Sequence, residues 1–294
     1  MHLKLIYNPA AGRGRAKHHI REVEQHLREL GADVETYAST SPEDLTHAAA
    51  ESSAAGFDRV VICGGDGTLN RALRDFDLSR GTLALIPLGS GDDFARVNGI
   101  PRDTRGACEV AASGNVREVD VALANNIRYA GVAGLGFDSE AARFANERVK
   151  YIHGSAVYVY ATLRVLPKFR PRRVRIDGRD EEIMLVVFGN SPQYGGGIKI
   201  APGARLDDGL LDACLVHRTS RFELLKTLPL AYSGAHVRKP FVEMRRAAEF
   251  RVEAEMPMDV YADGEALTTT PVHFAIAKEK LKICVGAGFS RPAG

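Results

Sequence analysis

The segment Gly64-Gly65-Asp66-Gly67-Thr68-Leu69-Asn70 is the sharpest chemical signal in the chain. It follows an apolar run, VVIC, and precedes a helix-like run, NRALRDF. Glycine allows backbone conformations closed to other residues and lets the chain approach a ligand closely. Backbone N–H groups at the start of the following helix then suit a phosphate. Thr68 can cap that helix or bond a phosphate oxygen. Taken alone, the segment is also readable as a plain strand-to-helix turn.

Two further loops repeat the pattern. One is PLGSGDDFAR at 87–96, after the apolar run LALI. The other is NPAAGRGR at 8–15, which begins at Asn8 after LKLIY and leads into a helical stripe. Three such loops at neighbouring strand ends would converge on one crevice, where open α/β sheets bind ligands. That favours a nucleotide phosphate site over three unrelated turns. The common alternatives are missing: there is no GxxxxGK[ST], no HRD or DFG set and no HExxH. His18 and His19 read as helix residues rather than as metal ligands.

The elements that must position these loops alternate in the first third. Ile20, Val23, Leu27 and Leu30 recur at helical steps over 15–30, and Gly31 stops the helix. ADVETYAS, DRVVIC and TLALIPLG read as strands, and Ser41-Pro42 opens an alanine-rich helix. This βαβα rhythm predicts a parallel sheet with helices on both faces. Beyond residue 116 strands dominate: VREVDVALA, IRYAGVAG, RRVRID, EEIMLVVFGN, LLDACLV, FRVEAE, MDVYADG and VHFAIA. Helical patterns there are limited to 138–149, 155–167 and 221–234. The second part therefore reads as a domain built on antiparallel sheet, with the boundary near residue 122.

The 294 residues are 45% hydrophobic and 26% charged, which excludes a disordered or collagen-like chain. Lys and Arg total 39 against 37 Asp and Glu, so nothing in the net charge of +2 announces a nucleic-acid partner. Cys63, Cys108, Cys214 and Cys284 form no CxxC and sit mostly in apolar runs, as buried thiols of a reducing cytoplasm would. No stretch is long and apolar enough for a transmembrane segment, and no signal peptide precedes LKLIYNP.

NPAAGRGRA, GGDGTLN, PLGSGDDFAR, NSPQYGGGIKIAPGARLDDGLLD and YADGEAL, in this order, resemble the catalytic domain of the diacylglycerol kinase and sphingosine kinase superfamily. The nearest likeness is to its soluble bacterial lipid kinases, and it runs from Asn8 to Glu265. GGDGT alone is shared with NAD kinases and is similar to the phosphofructokinase loop. The resemblance implies an α/β fold class: an N-terminal parallel-sheet nucleotide domain, NAD kinase/phosphofructokinase-like, and a C-terminal antiparallel β-sandwich-like domain. It implies an active site in a cleft between them. An ATP-binding domain over 1–122, with 283–294 returning to it, and a lipid-substrate domain over 123–282 are expected.

The same resemblance assigns site residues. ATP contacts fall on Asn8, Thr40, Gly64, Gly65, Asp66, Gly67, Thr68, Leu69, Asn70 and Ser90; Ser90 stands where the family has threonine in PLGTGND. The catalytic base is the glutamate of a DGE motif, here Glu265, with Asp263 as its support and Asp66 as a support for base or metal. Phosphoryl transfer fits this inventory: it needs positioned phosphates, charge neutralisation by Mg²⁺ and a carboxylate that accepts the hydroxyl proton. A second-domain Mg²⁺ loop transfers to the carbonyl of Arg205, the Asp208 carboxylate and the carbonyl of Leu210, oxygen ligands that suit this ion. Two positions depart from the family: Asp92 replaces an asparagine, and Arg71 stands where glutamate is frequent.

The expected function is ATP-dependent phosphorylation of a membrane-lipid hydroxyl, with diacylglycerol leading, in a cytoplasmic protein that reaches the inner face of the membrane peripherally. Docking candidates are the basic run at 168–173 with Arg175, and the helix at 155–167. A homodimer is the further partner expectation. The alternatives are a soluble-substrate kinase of the NAD kinase type and a non-catalytic nucleotide-binding sensor; the retained Glu265 speaks against the sensor.

Overall fold

The computed structural model describes residues 1–149 and 156–286. The chain divides into two compact units: Met1–Val121 with the segment from Lys278 onward, and Ala122–Ala277.

The first unit is built on β1 (His2–Tyr7), α1 (Arg15–Glu29), β2 (Asp33–Ala38), α2 (Pro42–Ala54), β3 (Arg59–Gly64), α3 (Asp66–Leu73), β4 (Thr82–Pro87), α4 (Asp93–Val97), α5 (Thr104–Ser113) and β5 (Asn115–Val119). β1 pairs in parallel with β2 and β3, and β3 with β4. Each of β3 and β4 has one half-exposed residue followed by five buried ones, so both faces of the sheet are covered. The helical stripe works as its spacing predicts, for Ile20, Val23 and Leu27 of α1 are buried. Ser41 accepts the Asp44 N–H at 3.1 Å and Pro42 opens α2.

A returning strand, Leu281–Val285, lies between β4 and β5, parallel to the first and antiparallel to the second, so β5 forms the edge of the sheet. The return begins at Lys278, before Ile283, and residues 287–294 of the expected return lie outside the described residues. The strand-like run at 116–124 does not form one strand. It breaks at Asp120, leaving β5 in this sheet and Ala122–Ala124 in the other. The buried Asp120 carboxylate at the break is met by Lys280 Nζ at 2.9 Å.

The second unit contains β6 (Ala122–Ala124), β7 (Ile127–Tyr129), β8 (Val132–Gly136), α6 (Phe137–Arg148), α7 (Ala156–Val165), β9 (Arg172–Ile176), β10 (Arg179–Gly189), β11 (Leu211–His217), α8 (Arg221–Ala231), β12 (Val242–Ala247), β13 (Glu249–Ala254), β14 (Asp259–Ala262), β15 (Glu265–Thr269) and β16 (Val272–Ile276). Residue 155 of the expected helix lies outside the described residues. These strands make an antiparallel sheet in the order β15-β14-β8-β10-β9-β13-β16-β6-β7, with β11 and β12 added beside β10. β10 is the pivot. Its first half pairs with β9 and its second half with β8, with an irregularity between Ile183 and Leu185. There the alternation breaks: Met184 and Leu185 both join the core that also holds Leu166, Phe169 and Leu224, while Val186 and Phe188 join the opposite core with Phe250 and Phe274. Among the described residues no helix is long and apolar enough to cross a membrane.

Candidate active site

In the first unit the glycine loops touch. A Cβ on Gly65 would lie 2.9 Å from the Gly89 Cα, and one on Gly89 would lie 2.6 Å from the Gly65 Cα. The phosphate loop itself is short. β3 ends at Gly64, Gly65 is the extended N-cap, and Asp66 already begins α3. Gly67 is helical, so the close backbone approach falls on Gly65 and Gly89 instead. No side chain caps α3, and Thr68 lies inside it, packed over Gly64 where a Cβ would meet it at 2.5 Å. The end of the helix that could face an anion is thus free of a competing cap. Leu69 and Asn70 are fully buried and belong to the scaffold.

Asp66 is a positioning group. Its Oδ2 accepts the Asp93 N–H and its Oδ1 the Phe94 N–H, both at 3.1 Å, which fixes the start of α4. Asp92 Oδ1 accepts the Gly89 N–H at 2.9 Å and closes the loop on itself. Asp92 adopts φ +52°, is 3% exposed, and pairs with Arg102 at 3.4 Å. Burial pushes its pKa up, against the pull of the Gly89 N–H and Arg102. The arginine four residues on, Arg96, pairs with Asp93 rather than with Asp92.

Three arginines each bind a successive carbonyl of this loop. Arg15 reaches Gly89 O at 3.3 Å, Arg102 reaches Ser90 O at 3.4 Å, and Arg96 reaches Gly91 O at 3.1 Å. Arg15 comes from the NPAAGRGR loop, so that loop is tied to the second one directly. Sequence reasoning missed Arg15 and Arg102 as site residues; a basic residue at the first position of α1 was the available signal. Ser90 is exposed at the loop tip. Asn8 Oδ1 accepts the Ala10 N–H at 2.9 Å and shapes its own turn. Thr40 follows Ser39, whose N–H is bonded to Tyr7 O at 2.9 Å, so Thr40 and Asn8 leave adjacent strand ends. The Thr40 hydroxyl donates to Asp44 at 2.9 Å.

In the second unit Asp263 and Gly264 form a two-residue hairpin between β14 and β15, with φ +49° and +86°. Positive φ at both positions is what a tight hairpin of this hand requires, and Asp-Gly meets it readily. Glu265 opens β15 opposite Ala262 and is half-buried. Asn146 of α6 donates to the Gly264 carbonyl at 2.8 Å, steadying the turn before Glu265.

Asp263 faces backbone. Its carboxylate accepts N–H groups from Ala130 and Gly131 at 3.1 Å each and from Val132 at 2.9 Å. A Cβ on Gly131 would meet Asp263 Oδ1 at 2.4 Å, so this approach requires glycine. The buried Asn190 donates from its side chain to Ala130 O at 2.9 Å, and its own N–H bonds Gly131 O at 2.9 Å. The NSPQYGG and YADGEAL segments therefore both hold Ala130 and Gly131.

The loop at 205–210 is also occupied by protein groups. Asp208 Oδ1 accepts the Leu210 N–H at 3.0 Å, and Oδ2 is held by Arg246. Arg246 also meets the buried Asp212 at 3.3 Å, and Arg205 pairs with Asp207 at 3.3 Å. With a guanidinium on its outer oxygen, Asp208 does not fit a Mg²⁺ ligand in this arrangement. Among the described residues no cluster of three His, Cys, Asp or Glu side chains could hold a metal. The four cysteines are buried and free; burial raises Cys108 and Cys214 to about 12 and Cys284 to about 11, and lifts Cys63 as well, so none is a thiolate nucleophile near neutral pH.

Comparison with known proteins agrees with this division. Residues 2–124 match the diacylglycerol kinase catalytic domain, and residues 131–285 match the YegS C-terminal NAD kinase beta sandwich-like domain. A diacylglycerol kinase of Bacillus subtilis (strain 168) is 32% identical over 294 aligned residues, covering 94% of this chain and 97% of the relative. One from Mycobacterium tuberculosis (strain H37Rv) is 33% identical, covering 95% of this chain and 93% of the relative. A solved candidate diacylglycerol kinase from Bacillus anthracis str. Sterne superposes with a TM-score of 0.82 at 25% identity, over 98% of both chains. With a parallel-sheet unit carrying the touching glycine loops and an antiparallel unit carrying the DGE hairpin, the chain belongs to the diacylglycerol kinase family of lipid kinases.

Proposed function

We propose that this chain transfers the γ-phosphate of ATP to the hydroxyl of diacylglycerol, giving phosphatidic acid. The observation that carries the nucleotide half is the Gly65–Gly89 contact, flanked by an uncapped α3 and by three arginines on the 89–91 carbonyls. Bare backbone lets phosphate oxygens approach the N–H groups at 65–67, and the guanidinium groups add positive charge beside them. Ser90 supplies a hydroxyl at the exposed tip, and Asn8 and Thr40 contribute from the neighbouring strand ends.

Glu265 is the general base. It takes the proton from the lipid hydroxyl as that oxygen attacks the γ-phosphorus, and ADP departs with the bridging oxygen. Asp263 acts through the backbone: by holding 130–132 it fixes the hairpin from which Glu265 projects. Mg²⁺ accompanying the nucleotide would neutralise phosphate charge. The lipid reading also calls for peripheral contact with a membrane at the cytoplasmic face.

The test is transfer of label from γ-labelled ATP across a panel of acceptors in mixed micelles: diacylglycerol, phosphatidylglycerol, a sphingoid base and NAD. Label in phosphatidic acid is the expected result. Label in NAD alone would move the chain to soluble-substrate chemistry, and binding of ATP without transfer to any acceptor would make it a sensor.

A further inference from the structure

Glu265 stands on a strand at the edge of its sheet. Among the described residues β15 pairs with β14 alone. The regular pairing beside the turn is short. Ala262 faces Glu265 and Tyr261 faces Ala266, and then the register shifts so that Val260 faces Thr268. The extra residue on β15, Leu267, is a bulge, which disrupts the ladder locally and bends the strand. Two residue pairs therefore tie the start of β15 to β14 before the irregularity. The turn adds freedom of its own, since Gly264 has no side chain and sits at φ +86°.

Helix α6 supplies what this ladder lacks. The Asn146 side-chain amide donates to the Gly264 carbonyl at 2.8 Å. That carbonyl shares one planar peptide unit with the Glu265 N–H, so the bond fixes the plane from which the Glu265 Cα departs. Three residues earlier on the same helix face, Arg143 meets Asp259 at 3.0 Å, at the other end of β14. The helix is itself held at its first turn. Phe137 shares a core with Leu166, Phe169 and Met184, and Asp138 accepts the Tyr194 hydroxyl at 2.5 Å. Asn146 is exposed in the last turn of α6. Asparagine is a poor helix former and buries no apolar surface there, so its contribution is the hairpin contact.

We infer that Asn146 is a positioning residue for phosphoryl transfer: by holding the Gly264 carbonyl it fixes the direction in which the Glu265 carboxylate points. A general base must lie within hydrogen-bond reach of the proton it takes. A misplacement of about 1 Å at such a group costs on the order of a hundredfold in rate. The two turn residues are thus held from two sides. The Asp263 carboxylate binds the N–H groups of 130–132, and Asn146 binds the carbonyl of Gly264. The inference rests on the reading of Glu265 as the base.

The experiment is steady-state phosphorylation of diacylglycerol in mixed micelles by the full chain. It compares Asn146→Leu, Asn146→Gln, Glu265→Gln and the double variant Asn146→Leu with Glu265→Gln. Leucine is close to asparagine in size, forms helix well and donates no hydrogen bond. The melting temperature of Asn146→Leu should therefore hold while kcat falls about tenfold or more and the KM for ATP stays unchanged. Glutamine keeps the amide donor on a longer stem and should recover part of the kcat. In the Glu265→Gln background Asn146→Leu should cost nothing further, because a group that acts through Glu265 then has nothing left to position. An equal loss in both backgrounds would overturn the inference, as would a kcat that falls only in step with the melting temperature. Loss of turnover in Glu265→Gln beside full turnover in Asn146→Leu would remove the positioning role and leave the base standing. Wild-type turnover in Glu265→Gln, or no transfer by the wild type, would overturn the base reading and this inference with it.

Discussion

Gly65 and Gly89 meet backbone to backbone, with 2.9 Å or less between either α-carbon and a Cβ placed on the other. Two turns from adjacent parallel strands thus share one surface with no side chain between them. Gly89→Ala must push against the Gly65 Cα and against Asp92 Oδ1, 2.5 Å away. The expected loss is about 1–3 kcal/mol of stability, the usual range for overpacking, together with at least tenfold weaker ATP binding by calorimetry. Gly67→Ala is the control. It lies within α3, where alanine is the better helix former, so its melting temperature should hold or rise. Equal behaviour of the two variants would contradict the contact.

Asp92 gives a pH-dependent prediction. Burial raises its folded pKa above the unfolded value. The folded state therefore holds this proton more tightly, and stability from the group is present at low pH and lost as pH rises through the folded value. Asn keeps an oxygen to accept the Gly89 N–H and carries no charge. Asp92→Asn should melt higher than wild type at pH 7, with the gap closing as pH falls toward the ordinary carboxylate range, and its KM for ATP should drop a few-fold. A variant less stable than wild type at pH 7 would show that the Arg102 pair outweighs desolvation.

Much of this was legible in the residues. The stripe at Ile20, Val23 and Leu27, the Ser41-Pro42 helix start and the runs before each glycine loop carry strong local periodicity, and local periodicity is what a single sequence displays. The continuous run at 116–124 misled because a strand pattern does not record a change of sheet; only the break at Asp120 separates β5 from β6. β12 and β15 were overlooked because VEMRRA and EALTT are largely half-exposed and lack a buried run. The pairing of Asp92 with Arg102, ten residues on, was not legible, because loop shape rather than helical spacing brings them together. Asp263 looked like chemistry, yet its partners at 130–132 are distant in sequence and visible only in the fold.

Asp263→Ala should separate positioning from chemistry. Three backbone N–H groups lose their acceptor, so stability should fall by about 1–3 kcal/mol, and kcat should fall with it. Asp263→Asn, which retains one acceptor oxygen, should recover part of both. A fall in kcat at an unchanged melting temperature would return Asp263 to the reacting atoms.

The Asp208–Arg246–Asp212 cluster predicts that the 205–210 loop needs no metal. Without nucleotide, EDTA and millimolar Mg²⁺ should leave the wild-type melting temperature unchanged. Arg246→Ala leaves the buried Asp212 without its counter-charge and should cost about 1–3 kcal/mol, less than for a fully buried pair because Arg246 is partly exposed. Its melting temperature should then rise with Mg²⁺. A wild-type protein that Mg²⁺ itself stabilises would restore the metal to this loop.

Glu265→Gln tests the assignment as a lipid kinase most directly. The substitution keeps the size of the side chain and removes the proton acceptor, while the hairpin and the glycine loops remain. Turnover of diacylglycerol to labelled phosphatidic acid, measured in mixed micelles at saturating ATP, should fall by roughly two to four orders of magnitude, with ATP affinity and melting temperature unchanged. Wild-type turnover in the glutamine variant would contradict the role of Glu265 and, with it, the proposed chemistry of the DGE hairpin.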